Sequence, residues 1–140
     1  MNNSIKVIDQ YYYLTQKQHA RNYHVLIIDD DPILAKRYAL ALENVGIQVT
    51  ILTNPNQALN LLSEKTVDLV LLDFHLQECN GFEVAKILRQ LDHYISLPII
   101  FLSTEINLNR FMRSAHLGID DFLTKPVDFT LLKEKLKSLS

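Results

Sequence analysis

The chain has 140 residues, about the size of one domain, and its 48% hydrophobic and 21% charged residues are typical of a soluble globular protein. A net charge of −2 at pH 7 gives no indication of a nucleic-acid surface or of a polybasic membrane patch. The single cysteine, Cys79, excludes an internal disulfide, and the lack of a secretory signal or of roughly 18 consecutive apolar residues favours a cytoplasmic protein.

The first 23 residues differ in character from the rest of the chain. Tyr11–Tyr13 stand among glutamine, asparagine, lysine and histidine, with no clear strand followed by a helix. Three interpretations of this segment remain open. The weak helical spacing of its apolar residues fits a lone helix, and the other two interpretations are a disordered leader and a tail from a preceding segment of a larger protein. We predict an N-terminal extension over residues 1–23 and one domain over residues 24–140.

The domain begins with an apolar run, residues 25–28, that is typical of a strand buried on both faces of a parallel sheet. This run ends in Asp29 and Asp30. Asp31 followed by Pro32 then indicates the start of a helix, because aspartate caps a helix and proline suits its first turn.

The next two units repeat this layout. Residues 48–52 form the second predicted strand, and Asn54–Pro55 marks the start of the helix after it. The third strand, residues 69–72, is wholly apolar and ends in Asp73, and the following helix begins near Gly81. The group at the end of the third strand is therefore again an acid.

Two more strands complete the pattern. The fourth, residues 99–102, ends at Ser103, and residues 107–117 have the spacing of a helix. The fifth, about residues 121–124, runs into Lys125–Pro126 before a final helix. About five strands and five helices in alternation predict a doubly wound α/β fold, in which a parallel sheet is covered on both faces and ligands bind at the carboxyl ends of the strands.

The polar side chains that end these strands are Asp29, Asp30, Asp73, Ser103 and Lys125. If the first strand lies beside the third, these groups share one pocket, and three close carboxylates repel one another unless a cation neutralises them. Magnesium prefers carboxylate oxygens and leaves positions for phosphate oxygens, so we predict Mg²⁺ or Mn²⁺ here. A lysine ammonium and a serine hydroxyl beside that ion would stabilise a transferring phosphoryl group.

Asp73 is the best candidate for a phosphoryl acceptor, because it stands alone at its strand end and a carboxylate can form an aspartyl phosphate. The pair Asp29–Asp30 suits the orientation of metal and water. Each residue taken singly has a plainer interpretation, since such aspartates commonly cap helices and a Lys-Pro pair commonly lies in a solvated loop. Their joint occurrence at one edge of one sheet is what favours the chemical interpretation.

The stretch from about His24 to Ser140 resembles the receiver domain of bacterial response regulators, because several separated motifs agree with that family in type and spacing. Asp29–Asp30 match the acidic pair of the family, and Asp73 matches its phosphorylated aspartate. Gly81 matches the glycine eight positions past that aspartate, and Ser103 matches the hydroxyl residue, five positions after Pro98. Lys125 matches the lysine that precedes a proline, here Pro126, across a bond that is commonly cis in the family. Phe122 matches the aromatic residue three positions before that lysine.

The resemblance implies a flavodoxin-like sheet of five parallel strands in the order 2-1-3-4-5. It also implies that Asp73 takes a phosphoryl group from a phosphohistidine of a sensor histidine kinase or a phosphotransfer protein, with the metal held by Asp29, Asp30 and Asp73. Phosphorylation and its reversal would be self-catalysed, so we do not expect an enzyme that acts on a separate substrate.

A two-state switch is implied as well, in which Ser103 moves toward the phosphoryl group and Phe122 swings inward. The surface that changes, here called the output face, is formed by the helix over residues 107–117, the fifth strand and the last helix. It includes Arg110, Arg113, Phe122 and Lys133.

We expect this face to contact a downstream protein or an attached output domain, or to form a homodimer, with neither nucleic acid nor a membrane as partner. Since the chain ends just after the last helix, we expect no output domain in it, whether it is a stand-alone receiver or a segment of a longer regulator.

Four positions bear on kinetics rather than on identity. Gln77 stands where many relatives have proline, which predicts a less rigid loop. Thr104 stands where a small residue is usual and could narrow access for the phosphate. His75 and Glu105 occupy the two positions that tune the lifetime of the phosphorylated state in the family.

Three other classes fit parts of the pattern. A phosphatase of the haloacid dehalogenase type needs a second aspartate two positions after the first, where this chain has His75. A flavin-binding flavodoxin needs a Ser/Thr/Gly-rich phosphate loop after the first strand, where this chain has the run Asp29–Pro32. A pseudo-receiver, which is an unphosphorylated interaction module, usually lacks an acid or the lysine, and this chain keeps both.

Overall fold

The computed structural model describes residues 23–77, 79–91, 96–104 and 121–139. Most of the predicted N-terminal extension, the predicted helix over residues 107–117 with Arg110 and Arg113, and the predicted lifetime-tuning residue Glu105 lie outside the described residues. Tyr23, the last residue of the predicted extension, is buried in the core. Among the described helices, none has both the length and the apolar character that crossing a bilayer requires.

Strands and helices alternate along the described chain. The strands are β1 (His24–Ile28), β2 (Gln48–Leu52), β3 (Leu69–Asp73), β4 (Ile99–Ser103) and β5 (Asp121–Thr124). The helices are α1 (Pro32–Glu43), α2 (Ala58–Glu64), which follows a short 3-10 turn at Pro55–Gln57, α3 (Gly81–Arg89) and α4 (Phe129–Leu139). The strands form one parallel sheet in the order β2-β1-β3-β4-β5, which confirms the predicted fold.

The sheet separates two hydrophobic cores, and this explains why its central strands are apolar without alternation. Every residue of β1, β3 and β4 is buried. Along β1, Val25 and Ile27 belong to the first core, whereas Leu26 and Ile28 belong to the second. The first core includes residues of α1 and α4, and the second includes residues of α2 and α3, so both faces of the sheet are covered.

Side-chain caps fix the points at which the helices leave the edge where the strands end. Asp31 Oδ1 accepts hydrogen bonds from the backbone N–H of Ile33 and Leu34 at 3.0 and 3.2 Å, so α1 begins directly after the acidic pair. Asn80 Oδ1 accepts from the N–H of Glu83 at 3.1 Å and caps α3 in the same way. The loops after β1 and β3 lie next to each other, because the two strands are neighbours in the sheet.

Candidate functional site

Three carboxylates converge where β1 and β3 end. Asp29 and Asp30 follow β1, Asp73 is the last residue of β3, and one oxygen from each lies within 4.8 Å of the others. Asp29 and Asp73 are buried, with 0% and 4% of their surface exposed, and Asp30 is half-buried. We call these three residues the acidic cluster.

Lys125 brings one positive charge to the acidic cluster. Its Nζ lies 3.4 Å from Asp29 Oδ2 and 3.2 Å from Asp73 Oδ1. The loop after β5 places it there, with its backbone N–H donating to the Ser103 carbonyl at 2.7 Å and with a cis bond to Pro126, as the family resemblance implies. Two buried carboxylates thus share one ammonium.

Backbone N–H groups orient each carboxylate of the cluster. The N–H of Asp31 donates to Asp29 Oδ1 at 2.9 Å, and the N–H of His75 donates to Asp73 Oδ1 at 3.2 Å. Asp30 Oδ2 accepts from the N–H of Gln77 at 3.0 Å, a bond that joins the loops after β1 and β3. Bonds to rigid backbone hold acids in place where their mutual repulsion would otherwise separate them.

Burial and the neighbouring charges act together on the titratable groups of this site. Burial raises the pKa of Asp73 to about 6, and the Asp29 carboxylate acts in the same direction, although Lys125 opposes both. Burial acts to lower the pKa of Lys125, but Asp73 and Asp29 outweigh it and leave that pKa raised. Within the described residues the site brings together three carboxylates and the Lys125 ammonium, an arrangement that a further cation would stabilise.

The acidic cluster has the chemistry of a site for a hard divalent cation. All three potential ligand atoms are carboxylate oxygens, and they approach one another closely. Asp29, Asp30 and Asp73 could therefore hold a metal ion.

The predicted hydroxyl and switch residues lie on the two neighbouring strands. Ser103 ends β4 and is buried, with 1% of its surface exposed, whereas Thr104 after it is exposed. Phe122 on β5 is half-buried, pairs with Phe101 of β4 in the sheet and packs against the second core. His75 is exposed, and its ring contacts the edge of the Phe74 ring at a centroid distance of 5.0 Å.

Two groups near the cluster were not predicted from the sequence to lie there, although Gln77 was singled out for its effect on the rigidity of its loop. The backbone N–H of Gln77 reaches Asp30, and the ring of Tyr38 on α1 is buried close to Lys125 and Asp29. Helical spacing can place Tyr38 on the buried side of α1. No pattern in the sequence indicates a contact between groups so far apart along the chain.

Comparison with known proteins agrees with this arrangement. The family model for the response regulator receiver domain matches residues 25–137, so the chain belongs to the response regulator receiver domain family. It is 30% identical over 115 residues to the phosphate regulon transcriptional regulatory protein PhoB of Pseudomonas aeruginosa, covering 82% of this chain and 50% of that protein. It is 35% identical over 103 residues to protein RcaC of Microchaete diplosiphon, covering 74% of this chain and 16% of that protein. The chain thus spans half or less of the length of these curated relatives.

Solved structures share the same fold. The receiver domain of the Francisella response regulator 1452 superposes with a TM-score of 0.73 at 30% identity, covering 84% of this chain and 96% of that one. The chemotaxis response regulator CheY4 of Vibrio cholerae superposes with a TM-score of 0.78 at 23% identity, covering 86% of this chain and all of that one (100%). The second likeness concerns the fold alone.

Proposed function

We propose that this receiver domain takes a phosphoryl group onto Asp73 from the phosphohistidine of a sensor histidine kinase or of a phosphotransfer protein. The observation that carries the proposal is the position of Asp73. Its buried carboxylate belongs to a cluster of three acids and lies 3.2 Å from the Lys125 ammonium. A nucleophilic carboxylate, a fixed cation and potential metal ligands are the groups that phosphoryl transfer requires.

Asp73, Lys125 and Ser103 each have a separate role in the transfer. An oxygen of Asp73 attacks the phosphorus, the P–N bond to the donor imidazole breaks, and the imidazole leaves with the electron pair of that bond. Lys125 lies beside the attacking carboxylate, where its ammonium can contact the phosphoryl oxygens as charge builds on them. The Ser103 hydroxyl, at the end of the adjacent strand, donates a hydrogen bond to one of these oxygens.

Asp29, Asp30 and Asp73 would hold Mg²⁺ or Mn²⁺, which supplies positive charge against the carboxylates and the phosphoryl oxygens. The tie from the N–H of Gln77 to Asp30 supports this role, because it fixes the half-buried member of the cluster. In our proposal the domain catalyses only its own phosphorylation and dephosphorylation and is not an enzyme for another substrate. His75, Thr104 and Glu105 tune the lifetime of the phosphoryl group, and Glu105 lies outside the described residues.

Phosphorylation is proposed to act on the output face through Ser103 and Phe122. The adjacency of β4 and β5 supports this link, because Ser103 pairs with Thr124 two positions beyond the pair of Phe101 and Phe122. In the phosphorylated state Ser103 moves toward the phosphate and Phe122 moves inward. The output face then contacts a downstream protein, an attached output domain or a second copy of the chain.

The cellular setting belongs to the same proposal. We place the domain, residues 24–140, in the cytoplasm, preceded by an extension over residues 1–23. Two related proteins carry names that fit a signalling partner or an attached output, since PhoB is a transcriptional regulatory protein and RcsC of Salmonella typhimurium is a sensor histidine kinase. We expect no direct contact of this domain with nucleic acid or with a membrane.

Intact-mass measurement after incubation with acetyl phosphate and Mg²⁺ tests the proposal. We expect one phosphoryl adduct in the wild type, none in Asp73→Asn, and an unchanged adduct in Asp31→Asn, since Asp31 caps α1 and asparagine can also cap. An adduct that persists in Asp73→Asn would contradict the assignment of the acceptor. A wild-type chain that takes no adduct would instead support an unphosphorylated interaction module.

A further inference from the structure

Three phenylalanine rings pack together where the chain leaves the phosphoryl acceptor. Phe74 follows Asp73, Phe82 lies in the first turn of α3, and Phe101 lies on β4. Each ring contacts the other two edge to face, with centroid distances of 5.0 Å for Phe74–Phe82, 5.5 Å for Phe74–Phe101 and 5.4 Å for Phe82–Phe101. Edge-to-face contact is a geometry that aromatic rings prefer. We call these three residues the aromatic cluster.

The start of α3 lies directly against the aromatic cluster, and Gly81 makes this close approach possible. A Cβ atom at position 81 would lie 2.8 Å from a ring carbon of Phe101 and 3.1 Å from Phe74 Cα. The N–H of Gly81 donates to the Phe74 carbonyl at 2.8 Å. A larger residue would therefore have to displace a ring or the backbone, because the interior is close-packed.

The chain between β3 and α3 is also bonded across itself. His75 pairs with Asn80 in an isolated antiparallel bridge, and the N–H of Leu76 donates to the Cys79 carbonyl at 3.2 Å. Leu76 and Cys79 pack against the second core, to which the aromatic cluster also belongs. Residues 74–76 and 79–81 thus form two stems that lie side by side on the rings, and Gln77 follows the first stem.

Gln77 carries the hydrogen bond that joins these stems to the acidic cluster. It is exposed, and its N–H donates to Asp30 Oδ2 at 3.0 Å. An exposed backbone N–H keeps one partner only if the loop that carries it keeps its shape, because water competes for the donor. Although Gln77 was predicted to make this loop less rigid, ring packing supplies rigidity from below the stems.

We propose that the aromatic cluster positions Asp30 for the metal ion, with Phe82 as the positioning residue. The Phe82 ring holds the stems in the shape in which the Gln77 N–H reaches Asp30, and that bond fixes the half-buried carboxylate of the acidic cluster. Groups that orient a metal ligand affect how tightly the metal binds. This inference rests on the proposed metal site.

Phe82 contributes to the aromatic cluster from α3, the element that follows the loop. Phe74 and Phe101 are buried, at 7% and 0% exposure, whereas Phe82 is half-buried. Leucine at position 82 would keep apolar contact with the second core but lose both edge-to-face contacts. The start of α3 would then be held less firmly, and the Gln77 N–H would spend less time on Asp30.

Exchange of the Gln77 amide proton with water, measured by NMR without metal, tests the inference in Phe82→Leu. We expect exchange about threefold faster than in the wild type, since the N–H is bonded to Asp30 for a smaller share of the time. The N–H of Thr130, which is bonded to Asp128 Oδ1 at 2.9 Å and is also exposed, should exchange at an unchanged rate.

Calorimetric titration with Mg²⁺ provides the second readout. Phe82→Leu should bind Mg²⁺ about threefold more weakly than the wild type, the effect expected for losing the hydrogen bond itself. In a Gln77→Pro background, which has no N–H to position, Phe82→Leu should cause no further loss of affinity.

Phe129→Leu is the matched control for both readouts. Phe129 is also half-buried at the start of a helix, and its ring contacts Tyr38 edge to face at a centroid distance of 6.2 Å in the first core. This variant should leave Gln77 amide exchange and Mg²⁺ affinity unchanged, because its ring lies on the other side of the sheet.

The inference is wrong if Gln77 exchange in Phe82→Leu matches the wild type, or if Phe129→Leu accelerates it equally. It is also wrong if Phe82→Leu weakens Mg²⁺ binding equally with and without the Gln77 N–H, since the ring would then act by another route. A wild type that binds no Mg²⁺ would instead overturn the proposed metal site, and the exchange rates alone would decide whether the aromatic cluster holds the bond to Asp30.

Discussion

The two ends of β1 both bury a titratable side chain, yet they treat it differently. At the start of the strand, His24 is 4% exposed, with Nδ1 2.9 Å from the Thr66 carbonyl and Nε2 2.7 Å from Thr50 Oγ1. Its backbone N–H donates to Asp68 Oδ2 at 2.8 Å. At the other end, Asp29 is fully buried at 0% exposure among two further acids and one lysine.

The difference shows which end the fold uses for stability and which for chemistry. A neutral His24 has a partner for each ring nitrogen, because the Thr66 carbonyl accepts from Nδ1–H and the Thr50 hydroxyl can donate to Nε2. At the acidic edge, three carboxylates of the described residues lie together with the Lys125 ammonium, and burial, with Asp29 acting in the same direction, raises the pKa of Asp73. Proteins keep such unfavourable arrangements mainly at functional sites, where a ligand relieves them.

The largest expected effect comes from a substitution at the start of β1, the end that we assign to stability. His24→Ala should lower the free energy of unfolding by about 3 kcal/mol, because it opens a cavity and leaves buried polar partners without their hydrogen bonds. Chemical denaturation measures this loss, and phosphoryl acceptance at a temperature where the variant is folded should stay within about twofold of the wild type. A stable variant with impaired phosphorylation would reverse the roles that we assign to the two ends.

The second prediction concerns the acidic end and pH. The folded pKa of Asp73, about 6, lies above its ordinary value of 3.8, so the stability from this group is complete below pH 3.8 and is lost as pH rises through 6. In EDTA at pH 8, Asp73→Asn should therefore be more stable than the wild type, by about 1 to 2 kcal/mol. This difference in the free energy of unfolding between the two proteins should become smaller as the pH falls to 5.

Denaturation curves of both proteins across this pH range provide the measurement. Added Mg²⁺ at pH 8 should stabilise the wild type more than Asp73→Asn, since only the wild type keeps all three carboxylates. If the difference in the free energy of unfolding instead grew toward acid pH, the raised pKa that we assign to Asp73 would be wrong. Asp128→Asn, a change at an exposed helix cap remote in sequence from the cluster, is the control for a general effect of removing one acid.

The smallest expected effect concerns the hydrogen bond from the Gln77 N–H to Asp30, which joins the loops after β1 and β3. Gln77→Pro removes the N–H that donates to Asp30 Oδ2, whereas Gln77→Ala keeps it. Calorimetric titration with Mg²⁺ should give an affinity about threefold weaker for the proline variant and nearly unchanged for the alanine variant, as expected for one exposed hydrogen bond. Equal affinities in both variants would mean that the tie does not orient Asp30.

Much of this site could be predicted from the sequence, for a physical reason. Apolar runs that end in Asp29, Asp73 and Ser103 mark strands, and parallel strands bring their carboxyl ends to one edge. The strand order was implied by the family resemblance rather than by the residues, since alternation alone does not determine which strands are neighbours.

Other contacts had no signal in the sequence. The bond from Gln77 to Asp30 uses a backbone N–H, which every residue except proline carries. The partners of His24 come from two other segments of the chain, and the position of the Tyr38 hydroxyl depends on how α1 packs against the sheet. Contacts of this kind depend on three-dimensional packing and on loop geometry, which residue types alone do not specify.

The rate of phosphoryl adduct formation as a function of Mg²⁺ concentration tests the central claim most directly, with one acid changed at each end of the sheet. We predict a rate that rises and saturates with Mg²⁺ in the wild type and in Asp68→Asn, and that stays near zero in Asp30→Asn. A wild-type rate that is independent of Mg²⁺, or an equal loss in both variants, would contradict the assignment of the acidic cluster as the site of metal-assisted phosphoryl transfer.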